Sequence, residues 1–555
     1  MATPFITGGK PWQGTWAVSL RAWALVVVPF ALLAPAQFNA AGAPMEEGSL
    51  LVAAQRIRHG ELANQDFQHL YGPASLDVLA AWTAAFGDTL GAERTLGMVQ
   101  QFGIVAAIWM IARPCGRAMA VALASISMVT GSLAMGFSAL AWPGASALGL
   151  FAVVFTARAA TTGNRTDWLA AGALAGLCLA YRPDLVLAIA LGCLPVWWRH
   201  RALWRLTAAG MALGATPMWV HLARVGPRTA VEGMLLDPVV NLRGGRSLPN
   251  PPSRDSLDSA LQRLVEVEPP PWPFPALSAP HQHLIAWAGI VVTCVALVLF
   301  LGVFRDQPRL WAPTGFAIGL APQAFQRPDS THLAFVACIM IPVALLCLIV
   351  RLSERGDQSV VAGWAPVIAT ALISVVILPF HTVRGTVDRL TDWNDDGVAA
   401  VRRGPRQFPV GVATTAAYQG AVDTLDRLAE PGDTLLVGPS DLSIAAYNDT
   451  FIYWLFPDLE PASRFLAVEP GLSNTEHSGW ATSVAAADWV LLSDTWSWWS
   501  EPNTSATPGD AGANAALAEH HCFVADFGEG LVALFKNCPG PEGVDALGRP
   551  AAPGG

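Results

Sequence analysis

The sequence predicts a polytopic α-helical membrane protein of about eleven transmembrane helices, followed by a C-terminal extracytoplasmic α/β domain. Three observations carry that expectation. Of 555 residues, 53% are hydrophobic and only 14% charged, with a mean hydropathy of +0.41, a balance that ordinary soluble domains do not have. Apolar runs recur between short arginine clusters as far as residue 380. Beyond His381 the runs shorten to strand length, and Asp, Asn, Gly and Pro become frequent. A net charge of −9 argues against a polyanion binder, so no nucleic-acid partner is expected.

Arg21 precedes the apolar run Ala22 to Phe38, which predicts the first transmembrane helix. Ala34-Pro35-Ala36 resembles a signal-peptidase site, but the lead before it is long for a signal peptide and the chain is polytopic, so an uncleaved anchor is expected. Residues 39–95 then form an outer loop. Its stretch from Pro44 to Pro73 opens with Glu46 and Glu47 and carries Leu50, Leu51, Ala54 and Ile57 at helical spacing. It stops near Gly60 and places Asp66 ahead of the turn Tyr71-Gly72-Pro73. That pattern predicts a short amphipathic helix on the membrane surface. Ala74 to Phe86 is too short to cross ~30 Å of hydrocarbon, which takes about twenty residues, and predicts a second surface helix.

Five basic clusters follow: Arg113 and Arg117; Arg158 and Arg165; Arg199, Arg201 and Arg205; Arg305 and Arg309; Arg351 and Arg355. Taken as cytoplasmic, they predict helices near 22–38, 96–112, 118–136, 140–157, 166–181, 184–198, 204–224, 284–304, 310–325, 331–350 and 360–380. The odd number puts the N-terminus inside and residues 382 onward outside. Several segments are short enough that one pair is open to being re-entrant. The long connection 225–283, Pro-rich around Pro249 to Pro252 and Pro269 to Pro275, reads as an irregular outer lid. Residues 1–381 thus form the membrane domain and 382–538 a soluble domain, with a Gly-, Pro- and Ala-rich disordered tail over 539–555. In the soluble domain a helix is expected over 413–428 and strands over 434–437, 489–492, 523–525 and 531–535, with the sheet order open.

Glu46-Glu47-Gly48, followed in the same loop by Asp66-Phe67 and Tyr71-Gly72-Pro73, resembles the first extracytoplasmic loop of the C-type (GT-C) membrane glycosyltransferases. That superfamily includes the protein O-mannosyltransferases and the aminoarabinose transferases. The resemblance implies that the leading acid is catalytic and matches Glu46 to it, Glu47 to the Glu that follows and Asp66 to a second acid. The leading residue is usually Asp, so the choice between Glu46 and Glu47 stays open. The competing reading is that these acids only cap a helix, whose dipole favours carboxylates at its N-terminus.

Transfer from a lipid phosphate also needs cations at the same boundary. Gln326-Arg327-Pro328-Asp329-Ser330-Thr331-His332 resembles an Arg-x-Asp-x-x-His pattern at an equivalent turn of related actinobacterial membrane proteins. It implies that Arg327 and His332 hold the donor phosphate while Asp329, with Tyr71, orients them. Arg182, in Tyr181-Arg182-Pro183-Asp184, is a second phosphate-binding candidate. For both turns the alternative is an Arg–Asp pair that snorkels and neutralises itself at the interface.

The resemblance therefore implies a plasma-membrane enzyme of envelope glycan assembly. It would move a sugar, with inversion, from a polyprenyl-phosphate donor to an extracytoplasmic glycan, lipid or protein. No cofactor is required by that scheme, which leaves a divalent cation open. Two rivals come from other classes. A transporter or lipid-linked glycan flippase would place charged or broken helices at the bilayer midplane, and a non-enzymatic assembly protein would work through its tail.

Other features carry less. Asp392-Trp393-Asn394-Asp395-Asp396-Gly397 matches half a calcium loop, but Arg403 stands where the bidentate Glu belongs. His281 and His283 have no partners in sequence, and Trp496, Trp498 and Trp499 read as anchors or packing before sugar platforms. Six cysteines fall in or beside apolar runs; Cys522 and Cys538 flank a predicted hairpin at Gly528 to Gly530 and are candidates for a disulfide. No structural zinc spacing exists.

Overall fold

A computed structural model describes residues 16–38, 44–131, 136–251, 279–354, 364–365, 367–372, 398–497 and 501–538. The chain enters through α1 (Trp16–Phe38), then α2 (Pro44–Arg58), α3 (Pro73–Phe86) and α4 (Leu90–Ala112). The bundle continues with α5 (Arg117–Thr130), α6 (Ala141–Thr162), α7 (Arg165–Tyr181), α8 (Val186–Arg199), α9 (Trp204–Gly214) and α10 (Thr216–Val225). After α11 (Pro227–Val231), a π-helix Glu232–Asn241 and α12 (Arg243–Arg246), it resumes with α13 (Ala279–Val303), α14 (Pro308–Gly319), α15 (Ala321–Gln326) and α16 (Ser330–Glu354). Among the described residues, Leu90–Cys115, Ala141–Thr162, Leu284–Val303 and Thr331–Glu354 are long and apolar enough to cross a membrane by length and composition. This is a membrane protein.

Two predicted spans are broken. The helix expected over 204–224 splits at Ala215, with Pro217 opening the next segment, and that over 310–325 splits at Leu320, with Pro322 just beyond. In both, proline removes an amide that the preceding turn would have engaged. The span expected over 360–380, the calcium-like loop over 392–397, Trp498, Trp499, the prolines 269–275 and the tail from 539 lie largely or wholly outside the described residues. The connection 225–283 is not wholly irregular where described: residues 227–241 and 243–246 are helical, and 247–251 have no regular structure.

Small residues set the closest helix contact. Gly172 and Gly176 on α7 meet Gly210 and Gly214 on α9, and a Cβ at any of them would collide with backbone of the other helix. This small-xxx-small spacing lets helices approach where no hydrophobic effect drives them together. The arginine-bearing turns gather at one end of the bundle, where Arg199 reaches Asp306 at 3.3 Å and Gln307 donates to Glu354 at 3.1 Å. The turns carrying Arg182 and Arg327 lie at the other, joined by Gln323 donating to Asp184 at 2.6 Å.

The C-terminal region is a mixed α/β sheet. A hairpin β1 (Val398–Arg403) and β2 (Arg406–Gly411) leads into α17 (Val412–Leu428). There follow β3 (Thr434–Pro439), α18 (Phe451–Leu455), β4 (Glu460–Pro461), α19 (Trp480–Ala486), β5 (Trp489–Ser493), α20 (Gly512–His520), β6 (His521–Phe527) and β7 (Val532–Asn537). The order is β4-β3-β5-β7-β6, with β3 parallel to β4 and β5, and β7 antiparallel to β5 and β6. The central strands are buried on both faces: Leu435 and Val437 point into one core, Leu436 into another. Cys522 and Cys538 are joined in a disulfide at the open end of the β6–β7 hairpin.

The sheet's first core is shared with the outer loop. Leu51, Val52, Ala63, Phe67 and Leu76 pack with Val401, Tyr418, Leu435, Phe451 and Trp454, while Ala54 packs on Leu79, Leu96 and Ala139 of the bundle side. Helix α2 is therefore apolar on two faces and clamped between domain and bundle, not laid on the membrane surface as its sequence suggests. Gly48 makes the approach possible, because a Cβ there would collide with the backbone of Thr450 and Phe451. Gly48→Ala is expected to cost about 1–3 kcal/mol through overpacking, read as a lowered melting temperature of the detergent-purified protein; an unchanged melt would contradict the tight seat.

Candidate active site

The first turn of α2 carries Glu46 and Glu47 in succession, and adjacent residues on a helix diverge by roughly 100°. The two acids accordingly face different surroundings. Glu47 turns into the bundle, where Arg94 of α4 grips it with Nε to Oε1 and Nη2 to Oε2, both at 2.8 Å. The side chains are 3% and 2% exposed, and Arg94 also donates to the Phe38 carbonyl. Glu46 turns the other way, into a cavity of about 470 Å³. Its side chain is exposed and faces that cavity, which is itself partly open. Among the described residues no hydrogen bond or ion pair engages its carboxylate; Ser49 bonds only its backbone carbonyl. Withdrawal from bulk water raises its pKa, reinforced by Glu47 and Asp329 and opposed by His332 and Arg246.

The cavity also gathers Tyr71, Arg182, Arg327 and His332, so the candidates from two distant turns meet Glu46 at one site. Arg182 donates Nε and Nη2 to Asp184 at 2.9 and 2.7 Å and stacks over the Tyr71 ring at 4.5 Å. Its Nη1 has no hydrogen-bond partner among the described residues. Burial pushes the Tyr71 hydroxyl upward in pKa against the pull of Arg182. His69, on the same wall, is driven down to about 4 by burial and is neutral at physiological pH.

Arg327 is more heavily committed. It donates Nε to Asp329 at 2.7 Å, Nη1 to the Arg246 carbonyl at 2.6 Å, and both terminal nitrogens to Glu501, at 3.0 and 2.5 Å. Asp329 in turn accepts the His332 backbone amide and pairs with His332 Nδ1, both at 2.8 Å. Burial alone would raise the Asp329 carboxyl, but His332 and Arg327 outweigh it and hold it well below the usual range. Asp66 stays off the cavity, where it accepts the Leu62 amide at 2.7 Å and closes the loop's turn.

Sequence reasoning missed three members. Arg246 of α12 lines the cavity, bound to Glu469 at 2.8 Å and lying 4.7 Å over the Tyr447 ring. Glu501 and Glu469 come from the α/β region, and nothing in their local sequence marks them. One further wall is apolar and comes from the π-helix, through Met234, Leu235, Pro238 and Val239; π-turns of this kind recur at functional sites. Trp496 is tied into the domain, donating to Asp449 at 3.1 Å, and Arg403 pairs with Asp426 and Asp458. Among the described residues no group of His, Cys, Asp or Glu is arranged to hold a metal ion.

Two crystal structures of ArnT from Cupriavidus metallidurans, one bound to undecaprenyl phosphate and one in the apo state, match with a TM-score of 0.52. They are 14% and 15% identical, over 95% of this chain and 100% of theirs. The chain shares its fold with ArnT. ArnT is an aminoarabinose transferase, and the likeness to it is one of fold. The Archaeoglobus fulgidus oligosaccharyltransferase, crystallised with Zn and sulfate, matches at 10% identity with a TM-score of 0.41, over 90% of this chain and 71% of that one. No family model and no curated protein matches the sequence.

The two adjacent acids are expected to behave oppositely. Glu47→Ala strands Arg94 in the bundle and should cost about 3–5 kcal/mol of stability, seen as loss of folded protein in detergent. Glu46 is held above its unfolded pKa, so folding takes up a proton there and stability falls as pH rises from the unfolded carboxylate range through the raised folded value. Glu46→Gln removes that dependence and is expected to melt above the parent protein at pH 8; an equal or lower melt at that pH would refute the assignment.

Proposed function

We propose that the protein transfers a sugar from a polyprenyl-phosphate donor to an acceptor hydroxyl at the outer face of the plasma membrane, with Glu46 as the base. The observation that carries this reading is the contrast within one cavity. Glu46 is a carboxylate with no hydrogen-bond or ion-pair partner among the described residues, set against three arginines that already hold carboxylates. An acid kept unpaired and raised in pKa is suited to accept a proton, whereas one locked against arginine, as Glu47 is, has no such capacity. Glu46 takes the acceptor proton as the acceptor oxygen attacks the anomeric carbon, and the lipid phosphate leaves from the opposite face. Arg182, with Nη1 donors to spare, meets the departing phosphate. Arg327 frames the same edge.

The fold supports the donor class, since the ArnT structure was obtained with undecaprenyl phosphate. The apolar π-helix wall suits a prenyl chain beside a polar phosphate pocket. Charge and redox chemistry support the orientation: arginine-rich turns suit the cytoplasmic side, and a disulfide-bearing α/β region suits the outside, where such bonds persist.

Glu46→Gln is expected to lower transfer by roughly 10²–10⁴-fold, the span of a lost general base, assayed in membranes with labelled polyprenyl-phosphate sugars; full turnover would remove the assignment. Arg182→Ala is expected to weaken undecaprenyl phosphate binding by ~1.5–3 kcal/mol, the range for a charge-assisted hydrogen bond. Calorimetry on the purified protein reads this directly, and unaltered affinity would displace the phosphate from that turn.

A further inference from the structure

His332 sits on the cavity wall with its Nδ1 committed to Asp329 Oδ1 at 2.8 Å, and the same oxygen accepts its backbone amide. The other Asp329 oxygen is held by Arg327 Nε at 2.7 Å. A carboxylate fixed from both sides fixes the imidazole in turn: Nδ1 carries the hydrogen, and Nε2 is left with its lone pair. With Nδ1 given to Asp329, Nε2 is the nitrogen that can exchange a proton with the cavity. When it takes one, Asp329 stabilises the imidazolium, as the carboxylate of an Asp–His pair does. The imidazole is 32% exposed, so Nε2 is reachable from the cavity.

The same cavity holds Glu46, whose carboxylate has no hydrogen-bond or ion-pair partner among the described residues. A carboxyl that has taken the acceptor's proton must lose it before the next cycle. Water in the cavity competes with a lipid-linked donor for that space, whereas His332 is built into the wall.

We propose that His332 is a second proton-transfer residue of the site, receiving through Nε2 the proton that Glu46 takes from the acceptor, with Asp329 as its positioning residue. The inference rests on the glycosyl-transfer reading and replaces the phosphate contact implied for His332 by resemblance. In the step, the acceptor oxygen bonds to the anomeric carbon as the bond from that carbon to the phosphate oxygen breaks, and the electron pair leaves with the lipid phosphate. The hydroxyl proton passes to the Glu46 carboxylate and on to His332, which releases it to solvent. Glu46 is ionised again, and nothing is oxidised or reduced.

The test uses the full-length protein in detergent. Diethyl pyrocarbonate acylates only the neutral imidazole, so the pH dependence of its reaction at His332, mapped by peptide mass spectrometry, gives that residue's midpoint. Glu46 from α2, Asp329 from its own turn, Arg327 and Arg246 are the charged groups around the ring. Glu46→Gln and Asp329→Asn are each expected to displace the pH dependence of acylation at His332. His332→Gln should bind undecaprenyl phosphate within about twofold of the parent. It should release sugar from a mixture of polyprenyl-phosphate hexoses and pentoses about 10²-fold more slowly, with partial rescue by added imidazole. A midpoint indifferent to Glu46→Gln would overturn the relay, as would a tenfold loss of phosphate binding in His332→Gln or an undiminished rate. If the parent neither binds undecaprenyl phosphate nor releases sugar, the glycosyl-transfer reading fails instead, and the acylation midpoints still decide whether Glu46 and His332 are coupled.

Discussion

The arrangement depends on how Arg327 is held. Its guanidinium joins three parts of the chain: Asp329 in its own turn, the Arg246 carbonyl at the end of α12, and Glu501 of the α/β region. With Arg327 14% exposed and Glu501 2% exposed, the pair is nearly out of water, where an ion pair is worth having only if its remaining donors and acceptors are also satisfied. They are: Asn503 donates to Glu501 at 2.8 Å, and the guanidinium spreads over two carboxylates and a carbonyl. Because Asp329 is shared with His332, the geometry of that imidazole is set in part by a residue of the α/β region.

A second constraint works by packing. The sheet and helix α2 share one hydrophobic core, and Thr450 donates to the Met45 carbonyl at 2.7 Å, immediately before the acids. The α/β domain is thus the roof of the cavity. Its Tyr447, Val468 and Glu469 form one side while the bundle turns form the other. A rigid seat for α2 matters because a helix rotated by one residue would exchange Glu46 and Glu47 between cavity and bundle.

The cavity is balanced in charge as well as shape. Arg182, Arg246 and Arg327 each bring a carboxylate partner, so the site presents oriented hydrogen-bond donors without a large uncompensated positive field. Donors fixed in this way suit an anion at little reorganisation cost, and the π-helix sets an apolar wall beside them. Of the three, Arg182 retains the most donor capacity, at the turn after α7.

Hydropathy made the four long apolar spans legible in the sequence, because long apolar runs have few alternatives in water. Strand-length runs likewise gave away β3, β5, β6 and β7. The acids at 46 and 47, the Tyr71 turn and the arginines at 182 and 327 were visible for a related reason: charge at the edge of hydrocarbon is costly and stands out. Tertiary structure alone decided which of two adjacent acids meets the cavity, since that turns on the rotation of α2 against Arg94 and Phe451. It also supplied Arg246, Glu469 and Glu501, whose roles arise from contacts across 81 to 223 positions of sequence. No local pattern encodes such contacts; only the packing of the sheet against the loop brings them within hydrogen-bond range.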